Sequence, residues 1–233
     1  EVNGDFELDG VRPCAIGARR FDGPFVRHTR KSLAMEMSAK ANRIRLFDFV
    51  SVPMRTFHLT WLAFFVCFFA WFAVAPLMAI VRKEMSLTDA QVGNIIIASG
   101  AITILARLLI GRLCDKYGPR LTYSGLLLVG AFPVMALGLA RNYESFLMLR
   151  LAIGAIGASF VITQGHTSLM FGPRCVGTAN ATTAGWGNMG GGAAQIAMPL
   201  LFAVIVGFGV SEYWSWRLAM IVPGVAMILL SVA

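Results

Sequence analysis

Six apolar segments, each long enough to cross a lipid bilayer, set the strongest limit on how this chain can fold. A helix needs about 20 residues to cross the hydrocarbon core, and a backbone inside that core must satisfy its own hydrogen bonds, which favours helices. The mean hydropathy of +0.70 and the 14% of charged residues, against about 25% in soluble domains, agree with this. The sequence therefore predicts an all-α, polytopic membrane protein. Ser86 and Asp89 resemble a capping box that opens the second span. The predicted spans are Phe57–Val81, Ala90–Ile110, Leu121–Ala140, Phe146–Met170, Val176–Phe208 and Trp214–Ala233.

The residues before the first span form a charged segment, which we predict to be a cytoplasmic N-terminal tail. Residues 1–56 mix acidic and basic side chains without sustained periodicity, so we expect poor order apart from a short helix over Ser32–Arg45. No apolar run in this segment has the length of a signal peptide. With the tail inside the cell, Lys and Arg residues are more frequent at the inner ends of the spans than at the outer ends. Residues 57–233 are then the transmembrane domain. The start at Glu1 and the apolar end suggest a fragment of a larger protein.

The sequence contains no pattern typical of an enzyme. The connections between predicted spans are short, so no soluble domain is available to hold an active site, and no nucleophile lies beside a base. The net charge of +8 is distributed mainly over the tail and the span ends, which argues against nucleic-acid binding. Cys14, Cys67, Cys114 and Cys175 are scattered without metal-ligand spacing. We therefore expect no disulfide, no metal and no cofactor.

The loop between the second and third predicted spans carries glycines and charges at a specific spacing. It reads Gly-Arg-Leu-Cys-Asp-Lys-Tyr-Gly-Pro-Arg over residues 111–120. An acidic residue among cations can latch helix ends through charge-assisted bonds that break when the helices move. An ordinary charged loop is the plainer interpretation. The predicted latch residues are Gly111, Arg112, Asp115, Gly118 and Arg120.

This loop resembles the signature loop of the major facilitator superfamily, whose members are solute porters. A second, weaker similarity is the series Arg150, Gly154, Gly157 and Ala158 in the fourth span. The resemblance implies that the six spans are the N-terminal half of a twelve-helix fold. In such folds the substrate lies near the bilayer midplane, between the two halves.

Arg107 is the most informative single residue of the predicted spans. It lies one turn before Gly111, at a depth where a cation costs at least about 2.5–3.5 kcal/mol. The carboxylates that we place at span ends, outside the spans themselves, are Asp89, Asp115, Glu144 and Glu212. An arginine without an acid points to an anionic substrate, because the forked donors of guanidinium match two coplanar oxygens. Two interpretations stay open: an anion site, with Thr103 on the same face, or an arginine that reaches back to the membrane interface.

Two further helix faces are polar or lined by small residues. The fourth span places Phe160, Thr163, Gln164 and Thr167 on one face, with His166 off it. The fifth span places Ala181, Ala184, Asn188, Gly191 and Gln195 on one face. Taken singly, each of these residues is explained by helix packing or by hydrogen bonds between helices. Arg150, a second cation within a span, is interpreted as structural.

The segment Ala184–Gly192 favours a role in substrate binding over packing alone. It reads Ala-Gly-Trp-Gly-Asn-Met-Gly-Gly-Gly and closely resembles the nitrate signature of the nitrate/nitrite porter family, a branch of the major facilitator superfamily. Gln195 and the Met198-Pro199 pair are similar to eukaryotic, high-affinity-type members, and the resemblance covers about residues 55–233. It implies substrate-binding roles for Arg107, Phe160, Asn188, Gly187 and Gly190.

The resemblance also implies a function and a set of partners. We expect a plasma-membrane transporter that moves nitrate, or nitrite, by alternating access. Coupling to protons is implied, with His166 as a candidate carrier; a carrier in the missing half and exchange against another anion are the alternatives. The expected partners are the anion, protons, the lipid bilayer and an accessory membrane protein. A porter for another small anion and a sensor that binds nitrate without transporting it also stay open.

Overall fold

The computed structural model describes residues 40, 41 and 43–233, and residues 40–233 form one compact unit. Helices long and apolar enough to cross a membrane make up nearly all of it, in agreement with the predicted all-α fold. We number them spans 1 to 6. The spans are Val52–Met85, Asp89–Tyr117, Pro119–Leu139, Tyr143–Met170, Val176–Gly207 and Glu212–Ser231.

Several spans are built from more than one helix. The α-helices are α1 (Val52–Phe72) and α2 (Met78–Met85) in span 1, α3 (Asp89–Tyr117) in span 2, α4 (Pro119–Ala136) in span 3, α5 (Tyr143–Gly154) and α6 (Ser159–Met170) in span 4, α7 (Val176–Gly207) in span 5, and α8 (Glu212–Ala219) and α9 (Ile221–Ser231) in span 6. Short 3₁₀ turns occupy Ala75–Leu77, Leu137–Leu139 and Ala155–Ala158. The first of these contains Pro76, which has no N–H to continue the α-helical hydrogen bonds.

The six predicted spans are confirmed as helices, but several of their ends were placed too early or too late. Span 1 begins at Val52 rather than Phe57 and continues to Met85. Span 2 runs to Tyr117 instead of Ile110. Hydropathy locates only the part of a helix that matches the hydrocarbon core. A helix that continues into the interface carries charged residues there and escapes such a prediction.

The predicted capping box at Ser86 and Asp89 is wrong by two residues at its start. Thr88 is the N-cap of span 2: its side chain accepts from the Gln91 N–H at 3.2 Å, and the Gln91 side chain accepts from the Thr88 N–H at 2.9 Å. Ser86 instead ends α2, in the left-handed region with φ 51°.

Span 1 lies at the centre of the bundle and packs against spans 3, 4, 5 and 6, while span 2 packs on span 4 and span 3 on span 6. The end of the bundle where span 1 begins also holds the span 2–3 and span 4–5 connections. We call it the N-terminal end. The connections over residues 86–88, 140–142 and 208–211 lie at the opposite end.

Residues just before span 1 pack at the N-terminal end. Ala41 forms a parallel bridge with Phe171, in the span 4–5 connection, with hydrogen bonds of 3.0 Å to Met170 and Gly172. The described part of the predicted Ser32–Arg45 helix is not helical, because this segment pairs with that connection instead. The rest of that predicted helix, and most of the predicted tail, lie outside the described residues.

Asp48 organises the entry into span 1. Its carboxylate accepts hydrogen bonds of 3.0 Å from the N–H groups of Ser51 and Val50. These bonds, chiefly those from Ser51, hold the pKa of this carboxyl below its ordinary value.

A largely buried ion pair joins spans 1 and 6 at the opposite end. Arg217 is 5% exposed and forms a two-point pair with Glu84, with N···O distances of 2.6 and 2.9 Å. The Trp216 indole N–H donates to the same carboxylate at 2.7 Å, and Arg217 also donates to the Ala140 carbonyl at 3.3 Å. The Tyr213 ring lies 3.7 Å from the guanidinium carbon. Glu84 is not among the residues singled out from the sequence, because the predicted first span stops short of it.

We expect Glu84→Gln to lower the stability of the protein by on the order of 3 kcal/mol, because it leaves the buried Arg217 without its counter-charge. The thermal midpoint of the purified protein in detergent measures this. The matched control is Asp89→Asn, which removes the exposed pair with Arg82 (2.6 Å; side chains 47% and 87% exposed) and should cost less than about 1 kcal/mol. Equal midpoints for the two variants would contradict a structural role for the buried pair.

Candidate functional site

The structure brings together two of the residues predicted to bind substrate. The guanidinium carbon of Arg107, in span 2, lies 5.8 Å from the centroid of the Phe160 ring, in span 4. This distance is within the range of a cation–π contact. Arg107 is exposed, whereas Thr103 and Ala106 on the same helix are buried. Over the described part of the chain, Arg107 forms no ion pair with a carboxylate.

Close contact between spans 2 and 4 sets this geometry. A Cβ on Gly154 would overlap the Ser99 carbonyl oxygen, and a Cβ on Gly157 would lie 2.8 Å from the Thr103 side chain. Thr103 donates to the Gly154 carbonyl at 2.7 Å. One turn further along each helix, the same register places Phe160 beside Arg107. Thr103 is thus buried in the contact between spans 2 and 4.

An aromatic series extends the site towards span 5. The Phe160 ring lies 5.7 Å from the Phe64 ring of span 1, and Phe64 in turn lies 4.4 Å from Phe68. Phe64 also faces Gly187 of span 5, where a Cβ would overlap its ring. Gly187 of the glycine segment and the Phe160 ring are therefore both neighbours of Phe64.

The glycine segment divides its residues between two faces. Gly187 and Gly190 are buried, and a Cβ on Gly190 would overlap the carbonyl oxygen of Phe65. Both glycines therefore bring span 5 close to span 1. The positions predicted to contact substrate face helix α1 in this structure. Asn188 is exposed, as is Gln195 two turns later. No side-chain hydrogen bond of Asn188 is found among the described residues.

The polar face predicted on span 4 is used mainly for contacts between helices. The Thr163 and Tyr123 hydroxyls lie 2.8 Å apart, and the Gln164 side chain donates to the Asn180 carbonyl at 3.3 Å. Thr167 is buried, with no partner for its hydroxyl among the described residues. Contacts between helices therefore account for Thr163 and Gln164 on this face.

Two other polar residues of span 4 contact span 1. His166 is half-buried, and its Nδ1 lies 3.0 Å from the Thr60 hydroxyl. Arg150 is 8% exposed and donates to the Trp71 carbonyl at 2.9 Å, close to the 3₁₀ turn of span 1. Its Nε has no partner among the described residues. Arg150 thus stabilises the place where span 1 changes helix type.

The predicted latch lies in a very short connection. Gly118, with φ 82°, is the one residue between spans 2 and 3. Asp115, Arg112 and Arg120 are exposed, and within the described chain Asp115 pairs with neither arginine. Gly111 lies near span 4, with Val161 4.0 Å from the position of an added Cβ. The latch stays a prediction for this loop.

The fold and the loop motif have a counterpart among known proteins. A profile of the Major Facilitator Superfamily matches residues 60–233. The chain belongs to this superfamily. The predicted fold class is therefore confirmed, and six membrane-capable helices in a superfamily of transporters make this a multi-pass membrane protein.

Within the superfamily, the chain is similar to proteins named as nitrate transporters. It is 40% identical over 195 residues to High affinity nitrate transporter 2.5 of Arabidopsis thaliana, covering 84% of this chain and 39% of that protein. It is 37% identical to High-affinity nitrate transporter 2.3 of Oryza sativa subsp. japonica (94% and 40%). It is 38% identical to Nitrate/nitrite transporter NrtP of Nostoc punctiforme (78% and 36%). The chain thus spans about two fifths of the length of these curated relatives.

We expect Gly190→Ala to destabilise the helix bundle, because the new methyl group meets the backbone of Phe65, which cannot move aside as a side chain can. The cost should be about 1–3 kcal/mol, read as a lower thermal midpoint in detergent. Gly192→Ala is the control: its Cβ meets nothing within 4 Å. A similar loss in both variants would contradict the packing role.

Proposed function

We propose that this chain supplies one six-helix half of a secondary transporter for nitrate, and for nitrite as a related substrate. The observation that carries the proposal is the exposed Arg107 beside the Phe160 ring, with no carboxylate paired to it in the described part of the chain. An uncompensated cation within a membrane span favours an anion as its partner. The similarity to proteins named as nitrate transporters supports the choice of anion.

The chemistry of the pair fits a small planar anion. Two coplanar oxygens of nitrate match the forked N–H groups of Arg107, and the flat Phe160 ring beside the cation offers an apolar contact surface for the weakly hydrated ion. Nitrite presents the same planar, delocalised charge with one oxygen fewer. Asn188, exposed on span 5, is assigned a hydrogen bond to the anion. Gly187 and Gly190 act indirectly, by holding span 5 close to the aromatic series.

The transport cycle we propose is alternating access in the plasma membrane, with the N-terminal end in the cytoplasm. The anion is bound between this half and a second one, and the two halves rock about it. The predicted latch at Asp115, Arg112 and Arg120 then acts on the cytoplasmic side. Its loop carries several cations, which supports this orientation.

The test of the substrate site is Arg107→Lys in the complete protein, expressed in cells that lack nitrate uptake. Lysine keeps the charge but loses the fork, so labelled nitrate uptake should fall at least about tenfold at equal surface expression. Chlorate should compete with uptake, and carboxylates should not. The control is Arg141→Lys, an exposed arginine in the connection between spans 3 and 4. Wild-type uptake by Arg107→Lys would rule out the assigned role.

Protons are the coupling ion that we propose, with His166 as the carrier in this half. Its ring is half-buried, contacts the Thr60 hydroxyl and lines a cavity of about 370 Å³. An imidazole is the side chain whose charge changes most readily near neutral pH.

We expect His166→Gln, which can still bond to Thr60 but cannot titrate, to lower the ratio of pH-driven nitrate uptake to nitrate exchange at equal pH. The expected decrease is on the order of tenfold. Proteoliposomes with and without a pH gradient give both rates. The control His58→Gln removes an imidazole of span 1, which accepts from the Trp61 indole N–H at 3.0 Å, and should leave the ratio unchanged. An unchanged ratio in His166→Gln would place the carrier elsewhere.

A further inference from the structure

A cavity at the N-terminal end of the bundle lies apart from the Arg107–Phe160 pair. It has a volume of about 370 Å³ and is lined by residues of spans 1, 3, 4 and 6, and neither Arg107 nor Phe160 is among them. His166, on its wall, is six residues beyond Phe160, or about 9 Å along a helix axis. The residues that line the cavity are therefore different from the Arg107–Phe160 pair.

The charged side chains of the described residues that line this cavity are both basic. Arg55, in the first turn of span 1, and Arg120, in the first turn of span 3, line it and are exposed. No Asp or Glu lines it within the described chain. Asp48, near its Val50 wall, already accepts hydrogen bonds from backbone N–H groups.

Deeper in the cavity, polar side chains line the wall. Ser124 and Tyr123 of span 3 face it together with Thr56, Thr60 and His166. The Thr60 hydroxyl donates to the Thr56 carbonyl at 2.8 Å. The Thr60 hydroxyl also lies 3.0 Å from Nδ1 of His166. The cavity thus combines exposed arginines with an imidazole and hydroxyl groups deeper within it.

We infer that this cavity is a second oxyanion-binding site, with Arg55 and Arg120 holding the anionic group. Basic residues are common at the cytoplasmic ends of spans, but here cations from two different spans line one cavity, and no carboxylate of the described residues lines it. Basic pockets between spans bind anionic head groups, and arginine suits phosphate and other oxyanions alike. The ligand is a free oxyanion or the phosphate of an anionic lipid. The inference does not depend on nitrate being the transported substrate.

The test is protection of a cysteine placed in the cavity. Ser124→Cys is introduced into the complete protein, in a background whose accessible cysteines are replaced by serine, and reconstituted in vesicles of phosphatidylcholine. The rate of modification by a membrane-impermeant maleimide is measured with nitrate, with inorganic phosphate and with neither. A parallel set of vesicles contains phosphatidylglycerol.

Matched double variants separate the site from general surface charge. Arg55→Gln with Arg120→Gln removes the cations that line the cavity. Arg43→Gln with Arg174→Gln removes two exposed cations at the same end that do not line it. We expect the first pair to raise the anion concentration needed for half-protection at least about tenfold, and the second pair to leave it within about twofold. Arg55→Gln alone serves if the double variant is unstable.

Each outcome decides the inference. Protection by a free anion that the Arg55/Arg120 variant loses supports a free-oxyanion site. Protection seen only with phosphatidylglycerol, and lost in that variant, supports a lipid phosphate. Absence of protection under all conditions, or equal protection in both double variants, overturns the inference. Protection that persists in Arg107→Gln shows a site separate from the proposed transport site, whatever the outcome of the uptake assay.

Discussion

The backbone of span 5 touches span 1 at Gly187 and Gly190, and the arrangement of the other helices depends on that contact. Apolar side chains gain little from association inside a bilayer, because lipid tails surround them equally well. Helices there associate through close packing, for which glycine gives the shortest approach. The same principle operates between spans 2 and 4 at Gly154 and Gly157. Phe64 is a neighbour both of Gly187 in the glycine segment and of Phe160, the ring beside the exposed arginine.

The six spans could be predicted from the sequence because apolar length alone identifies a helix that crosses a membrane. Helix ends could not be predicted as well, since they depend on interactions beyond the hydrocarbon core. Glu84 illustrates the limit. In the sequence it belongs to a short polar run after the first span, and only the fold brings span 6 close enough for Arg217 to reach it. Thr88 and Gln91 form a capping box with the same spacing as the predicted pair, Ser86 and Asp89, but two residues later in the sequence.

The candidate site was partly predictable, for a related reason. Arg107 could be identified from the sequence, because a cation within a span and without an acidic partner is costly whatever the rotation of its helix. The roles of Gly187, Asn188 and Thr103 depend instead on helix rotation, which a single sequence does not define. A rotation of about 100° per residue separates the buried Gly187 from the exposed Asn188. Two neighbouring residues of one motif thus differ in their surroundings: Gly187 is packed against another helix, and Asn188 lies on an exposed face.

The single residue between spans 2 and 3 has a mechanical consequence. Gly118 joins Tyr117 to Pro119 with a positive φ that other residues rarely adopt, so the link has almost no slack. Any force on the charged groups of this connection acts on both helices together. A change in tilt of span 2 must either move span 3 as well or unwind a helix end. Movements of these two spans are therefore coupled through their short connection.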